Sequence, residues 1–281
     1  RDGEIIPYGP IAMEPGSMVL HYAQMAFEGL KAFRGGDNVL RLFRPEQNAR
    51  RLRESCERMC IPAIDEDLFI AAIEQLVDVD RGWVPDRAGH ALYIRPLVFS
   101  TEPHLEVRPS RAFRFLVLTC PVGSYFDGDR SGLSLKVEEI FSRTASEGGV
   151  GACKTAANYA TTFQSGSQSR SDGFDQVLWL DGAHHSYIEE AGLMNVFFKI
   201  DGTVVTPELN GAILPGVTRD SVITFLHDQA VRVEERQISI AEVVDAARQG
   251  SLEEIFATGT AASVAPVASL TFRSERLRTS E

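Results

Sequence analysis

The chain has 281 residues, 44% hydrophobic and 24% charged, enough apolar material for one large or two modest globular domains and unlike a disordered or collagen-like chain. Its net charge of −11 and pI near 5.1 argue against nucleic acid or an anionic membrane as partner, since either would need a basic patch and none is visible. Apolar runs fall far short of the roughly 20 residues of a membrane helix, and Cys56, Cys60, Cys120 and Cys153 include no paired C-x-x-C, which disfavours zinc and suits a reducing, cytoplasmic compartment. The first residue is Arg1 rather than methionine, so a lost N-terminal segment, targeting or otherwise, stays open.

Residues 4–7, 17–22, 26–34 and 39–43 read as short strands separated by turns. Within the third, Phe27-Glu28-Gly29 interrupts an otherwise apolar run, the mark of a bulge or a close backbone approach. Pro45 opens a helix to about Met59 with Ala49, Leu52 and Cys56 on one face; Arg51, taken alone, reads as a solvated arginine. A second helix over 65–79 offers Leu68, Phe69, Ala72, Ile73, Leu76 and Val77 as its buried stripe. Strong strands follow at 91–99 and 112–120. In the first, alternation puts Tyr93 and Arg95 on one face, either as a carboxylate clamp or as the wet side of a half-buried sheet. The glycine- and aspartate-rich stretch 121–129 reads as a connection, dividing the chain into a small domain 1–123, a loop 124–132 and a larger domain 133–281.

The second half opens with a strand at 133–138 and reaches the stretch Gly148-Gly149-Val150-Gly151-Ala152-Cys153-Lys154. Only Lys31, Lys136, Lys154 and Lys199 are lysines, so each calls for a reason. Lys136 lies in a strand and Lys199 at a hairpin end, both simply solvated. Lys154 has small, uncharged neighbours; burial there would lower its proton affinity, as an amine needs before it attacks an aldehyde to form a Schiff base. The same stretch nearly spells the phosphate loop of nucleotide-binding proteins, but Cys153 stands where that loop needs glycine and 141–147 is too polar for the buried strand before it.

A helix over 158–169 and a strand over 176–180 come next. His184 and His185 sit at a loop tip without a third ligand, so no metal site is expected. Glu189 and Glu190 precede a small-residue turn, one of them a candidate inward carboxylate or both of them solvated. Leu214-Pro215-Gly216-Val217-Thr218 leads into a helix whose start is a ready anion site, and Thr258-Gly259-Thr260-Ala261 is a second small-residue turn. Two anion-friendly turns, an arginine and a Schiff-base lysine point together to pyridoxal phosphate.

The ordered motifs Phe27-Glu28-Gly29-Leu30-Lys31-Ala32, Tyr93-Ile94-Arg95-Pro96, Cys120-Pro121-Val122-Gly123, Lys154 with Asn158-Tyr159, Met194-Asn195, Leu214-Pro215-Gly216 and Gly259-Thr260-Ala261 span nearly the whole chain. In them the sequence resembles the branched-chain amino acid aminotransferases, pyridoxal 5′-phosphate enzymes of fold type IV. The resemblance implies a two-domain α+β homodimer, with a small N-terminal domain and a mixed-sheet, barrel-like larger one. It implies Lys154 as Schiff-base lysine and proton shuttle, Tyr159 on the cofactor phenolate, Glu190 on the pyridine nitrogen, and Arg51, Val217, Thr218 and Thr260 around the phosphate. Phe27, Tyr93, Arg95, Tyr125, Ala191 and Ala261 would line the substrate pocket, with Tyr22, Leu105 and Val107 reaching in from a second subunit. The expected activity is transamination between branched-chain L-amino acids and 2-oxoglutarate. The neighbouring alternatives are a D-amino-acid aminotransferase or an aminodeoxychorismate lyase, and the distant one a nucleotide-binding switch protein.

The chain departs from the family pattern at several places. Ala156-Ala157 replaces a usual glycine pair, and Leu193 stands where several members have threonine or glycine. Ala262 and Ala265 replace the thiol pair of mammalian members, so no redox switch is expected. The resemblance implies a further helix after about Phe272, and the given sequence stops at Glu281, so that segment stays open.

Overall fold

The computed structural model describes residues 3–124, 132–145 and 148–279. The chain forms two compact units, Arg1–Ser124 with Cys153–Ala157, and Tyr125–Ala152 with Asn158–Glu281. The lysine stretch at 153–157 thus belongs to the first unit although the chain around it belongs to the second.

The first unit contains α1 (Met18–Tyr22), β1 (Met25–Phe27), β2 (Leu30–Arg34), β3 (Leu40–Leu42), α2 (Pro45–Arg58), α3 (Glu66–Val79), a 3-10 turn at Arg81–Trp83, β4 (Ala91–Ser100) and β5 (Phe113–Val122). The ten-residue β4 is its backbone. β5 runs antiparallel along one edge of β4, from Ala91↔Val122 to Ser100↔Phe113, while β1 and β2 share the other edge and β3 extends β2. The interruption at Glu28-Gly29 has its cause across the ladder. Glu28 N donates to Pro96 O at 2.7 Å, and Pro96 has no N–H to return the bond.

Residues 17–22 form a bridge and a short helix rather than a strand. Met18 N bonds to Glu102 O, and the left-handed Ala23 closes the turn onto Val19 O, so the backbone groups are satisfied locally and by a neighbouring loop. Residues 4–7, also expected as a strand, carry none. Helices α2 and α3 cover the sheet through Leu52, Cys56, Phe69 and Ile73, packed with Leu30, Leu92 and Ile94. α3 is capped by the Asp65 side chain, which accepts from Leu68 N, and buries Phe69, Ile73 and Val77 at four-residue spacing. Leu68 itself is 48% exposed, so the apolar stripe is narrower than the sequence suggests.

The second unit contains β6 (Leu133–Val137), α4 (Ala157–Ala160), α5 (Phe163–Ser171), β7 (Gln176–Leu180), β8 (Ile188–Ala191), β9 (Met194–Ile200), β10 (Thr203–Thr206), α6 (Val217–Asp228), β11 (Val233–Glu235), α7 (Ile240–Gln249), β12 (Leu252–Gly259), β13 (Ser263–Phe272) and β14 (Glu275–Leu277). Strands β9, β12, β13, β6, β7 and β8 pair in that order and β8 returns to β9, closing a barrel in which β13–β6 and β6–β7 are parallel. Closure leaves the six strands no open edge among themselves. Leu135, Leu178, Val196, Phe198, Ala257 and Leu270 belong to its core. Along β9 the alternate residue Phe197 leaves this core and stacks on Phe256 at 4.8 Å, beneath Ile223 of α6.

The single helix expected over 158–169 is two, α4 and α5. At the junction, Thr161 Oγ1 donates to Arg143 O and Asn158 O, and Thr162 Oγ1 to Tyr159 O. Hydroxyls competing for backbone carbonyls in this way break a helix that propensity alone would continue.

Candidate active site

In the first unit an acid lies where the β1–β2 edge is interrupted. Glu28 is fully buried; its Oε1 accepts from Arg51 Nε at 2.7 Å, and its Oε2 from Arg51 Nη2 at 2.9 Å, Asn48 Nδ2 at 2.8 Å and Gly29 N at 3.0 Å. Burial pushes the Glu28 carboxyl up, but Arg51, Lys154 and Asn48 together outweigh it and hold the carboxyl below its ordinary range. Arg51 is therefore no solvated arginine: it is buried, and its guanidinium is aimed by a two-pronged ion pair.

Lys154 is fixed through its backbone. Its N–H donates to Ser55 Oγ of α2 at 3.0 Å and its carbonyl accepts from Phe27 N of β1 at 3.0 Å, while the next residue, the buried Thr155, donates its hydroxyl to Met25 O at 2.7 Å. The half-buried ammonium lies 5.1 Å from the centroid of the Phe27 ring, and the Arg95 guanidinium 4.7 Å from it. Arg95 Nη2 donates to Tyr93 Oη at 2.9 Å, as strand alternation allows, and buried Arg95 Nε has no hydrogen-bond partner among the described residues. Gly29 admits this cluster, since a Cβ there would lie 2.2 Å from Tyr93 Oη. Tyr93 and Arg95 thus form a half-buried, mutually bonded pair rather than a wet face.

The remaining lysines differ from Lys154. Lys136 pairs with Asp172 at 2.6 Å and Lys199 with Glu253 at 2.5 Å at the surface. Lys31 is buried in β2, and burial holds its ammonium below the usual lysine range, a property no feature of the sequence announced. Tyr22 Oη donates to Leu105 O at 2.5 Å, bringing two of the three residues expected at a second subunit together; Leu105 and Val107 are 64% and 81% exposed. Tyr125 lies outside the described residues.

In the second unit the bend at 189–194 holds a second buried acid. Glu190 Oε2 meets Arg143 Nε at 2.7 Å, and its Oε1 accepts from Asn195 Nδ2 and Leu214 N, each at 3.2 Å. Glu190 and Asn195 face each other in the β8–β9 ladder, and Asn195 Nδ2 also donates to Leu214 O at 2.9 Å, tying the 210–216 loop to the barrel. Arg143 donates as well to Ala212 O. A Cβ on Gly216 would come within 2.1 Å of Asn195 Oδ1, so only glycine passes there.

Gly216 caps α6 without a side chain, leaving Val217 and Thr218 in the first turn of a twelve-residue helix whose positive end is uncapped. Thr258 at the end of β12 is buried, and its hydroxyl has no hydrogen-bond partner among the described residues; Thr260 follows it, half-buried, and Ala261 is exposed. Ala191 is buried beside Glu190, and Tyr159 is half-buried on α4, which Asn158 ties to Val150 O at 2.7 Å. A buried carboxylate for a ring N–H, an uncapped helix start and an unpaired hydroxyl are the groups that a phosphorylated pyridine needs.

The sequence alone assigned no role to Glu28, Asn48, Arg143 or Asn195. An acid inside the apolar run at Glu28 was a signal; Arg143, in a polar loop, had none.

Residues 25–270 match the amino-transferase class IV family. The chain belongs to that family. It is 48% identical over 276 residues to "Branched-chain-amino-acid aminotransferase 2" of Bacillus subtilis (strain 168), covering 98% of this chain and 76% of that one. It is 45% identical over 273 residues to "Branched-chain-amino-acid aminotransferase" of Mycobacterium tuberculosis (strain ATCC 25618 / H37Rv), covering 95% and 74%. Among solved structures, the T.th. branched-chain amino acid aminotransferase complexed with N-(5′-phosphopyridoxyl)-L-glutamate superposes with a TM-score of 0.82 at 25% identity, over 99% of this chain and 86% of that one. The Escherichia coli branched-chain amino acid aminotransferase gives 0.77 at 25% identity, over 96% and 83%. The α+β architecture with its closed barrel is fold type IV, as the resemblance implied.

Proposed function

We propose that the protein is a pyridoxal 5′-phosphate-dependent aminotransferase that exchanges an amino group between branched-chain L-amino acids and 2-oxoglutarate. The observation that carries this reading is Glu190, buried and charge-paired with Arg143 in a chain 48% identical to a branched-chain aminotransferase. Bound pyridoxal phosphate supplies an aldehyde for the amine and an electron-withdrawing ring. Glu190, with Arg143 and Asn195 fixing its two oxygens, holds the proton on the pyridine nitrogen. Lys154 Nζ anchors the cofactor, takes the α-proton from the substrate and returns it. Tyr159 holds the phenolate oxygen. Arg51, the first-turn N–H groups at Val217 and Thr218, and Thr260 hold the phosphate.

Phe27, Tyr93, Tyr125, Ala191 and Ala261 shape the pocket, and Arg95 takes the distal carboxylate of glutamate. The exposed Leu105 and Val107, with Tyr22 bonded to Leu105, support a homodimer in which these residues serve the other subunit. A cytoplasmic setting is supported by four cysteines that are all free.

The test is chemical. The purified protein should absorb near about 410 nm, borohydride should bleach that band, and digestion should return the cofactor on the peptide containing Lys154. Lys154→Ala should lose the band and several orders of magnitude of activity with L-leucine and 2-oxoglutarate. Cofactor trapped on Lys31, the buried lysine of β2, would overturn the assignment.

A further inference from the structure

The residue before Glu190 is unused by the chemistry above, and its surroundings are distinctive. Glu189 is 3% exposed, and its Oε2 is buried without a hydrogen-bond partner among the described residues. It lines a cavity of about 450 Å³ in the second unit, together with Asp181, His184, Tyr187, Glu208 and Ile213. Successive strand residues leave on opposite sides, and Glu189 takes the side that Glu190 does not.

No neighbour serves this carboxyl. Asp181 is committed to its own turn: Oδ1 accepts from Ser186 N at 2.8 Å and Tyr187 N at 2.7 Å, and Oδ2 from His184 N at 2.7 Å and Ala183 N at 3.2 Å. Arg143, the cation whose charge reaches Glu189, forms its ion pair with Glu190 and donates from Nη2 to Ala212 O, and makes no hydrogen bond to Glu189 among the described residues. The cavity lining holds three acids and one histidine but neither lysine nor arginine, and its walls at Ile188, Pro207 and Ile213 are apolar. Burial, opposed by Arg143 and reinforced by Glu190 and Asp181, pushes the Glu189 carboxyl up to about 7, the behaviour of an acceptor lacking a cation.

We propose that this cavity is a second ligand site that binds a small organic ammonium ion, its N–H donated to Glu189 and its alkyl chain laid against Ile188 and Ile213. An ammonium carries the donor and the positive charge that the buried oxygen lacks, and a carbon chain suits walls that would not solvate a bare ion. A metal ion fits less well, because no group of three ligating side chains that could hold one occurs among the described residues. The site stands apart from the role given to Lys154, so the two are tested separately.

Titration calorimetry on the full chain loaded with cofactor decides it, with butyldimethylammonium chloride as probe. That tertiary amine keeps an N–H donor but cannot form an imine, so it does not react with a carbonyl cofactor. Saturable binding is expected, weakened at least about tenfold by Glu189→Gln, which keeps the shape and removes the charge. Ala183→Phe, which fills the cavity at an exposed turn, should abolish it, and this variant decides the matter if Glu189→Gln does not fold. The neutral alcohol 1-hexanol should not bind. Equal affinity in the wild type and either folded variant, equal binding of the alcohol, or no saturable binding up to about 50 mM would overturn the proposal.

Discussion

Replacing Glu28 with glutamine tests how the first unit holds Arg51. The carboxylate receives four donors: Nε and Nη2 of Arg51, Nδ2 of Asn48 and the N–H of Gly29. Glutamine has the same shape but one acceptor oxygen and one donor NH2. Whichever way it turns, its NH2 meets either Arg51 Nε or the three donors on the other side, and the buried guanidinium loses its counter-charge. Breaking a buried pair by neutralising one partner costs about 3–5 kcal/mol. For a protein of this size each kcal/mol lowers the melting temperature by roughly 2–4 °C, so Glu28→Gln should melt about 6–20 °C lower by calorimetry. The double variant Glu28→Leu with Arg51→Met, which removes both charges, should recover most of that loss without recovering cofactor affinity, since Arg51 is gone. Because the Glu28 carboxyl lies below its ordinary range when folded, the stabilisation is present above its unfolded pKa and is lost as pH falls. A melting temperature for Glu28→Gln within about 1 °C of wild type would refute the reasoning, and with it the view that Glu28 aims Arg51.

Further outcomes follow from the other buried groups. Glu190→Gln should retain cofactor, seen by absorbance, while single-turnover transamination of L-leucine slows by about 10²–10³-fold, the scale for removing one preorganised electrostatic contact; a larger effect at Glu189 than at Glu190 would contradict the assignment. Arg95→Ala should leave the leucine half-reaction within about tenfold but cost the glutamate half-reaction roughly 2–5 kcal/mol in stopped-flow experiments, and equal losses would make Arg95 structural or a ligand of the shared α-carboxylate. Glu189, with its carboxyl raised to about 7, favours folding below its unfolded pKa, and this contribution is lost as pH rises toward and through 7. Glu189→Gln should therefore gain stability relative to wild type between pH 5 and pH 8 by up to about 3 kcal/mol, the value of such a shift, and a difference independent of pH would refute it.

Much of this protein is written locally. The four-residue spacing of Phe69, Ile73 and Val77, the alternation along β4, and the glycines around Lys154 and Gly216 each answer to forces acting within a few residues, so helices, strands and the helix start after Gly216 can be read from the chain. The small-residue turns and the scarcity of lysine point to the cofactor for the same reason. What alternation could not decide was whether Tyr93 and Arg95 face water or each other, because that depends on Gly29 and Phe27 across a ladder where Pro96 has no N–H to donate.

Tertiary structure alone paired the buried charges. Arg51 looks like any helix-surface arginine until Glu28, 23 residues earlier, is folded against it, and Arg143 looks like loop until the barrel brings it to Glu190. Burial of a charge is paid for only by a partner, and partners of this kind are distant in sequence because both must be carried inward on different elements. The same holds for Glu189 and Glu190. Adjacent in sequence and identical in type, they differ because the folded chain supplies Arg143, Asn195 and Leu214 N to one and a cavity to the other.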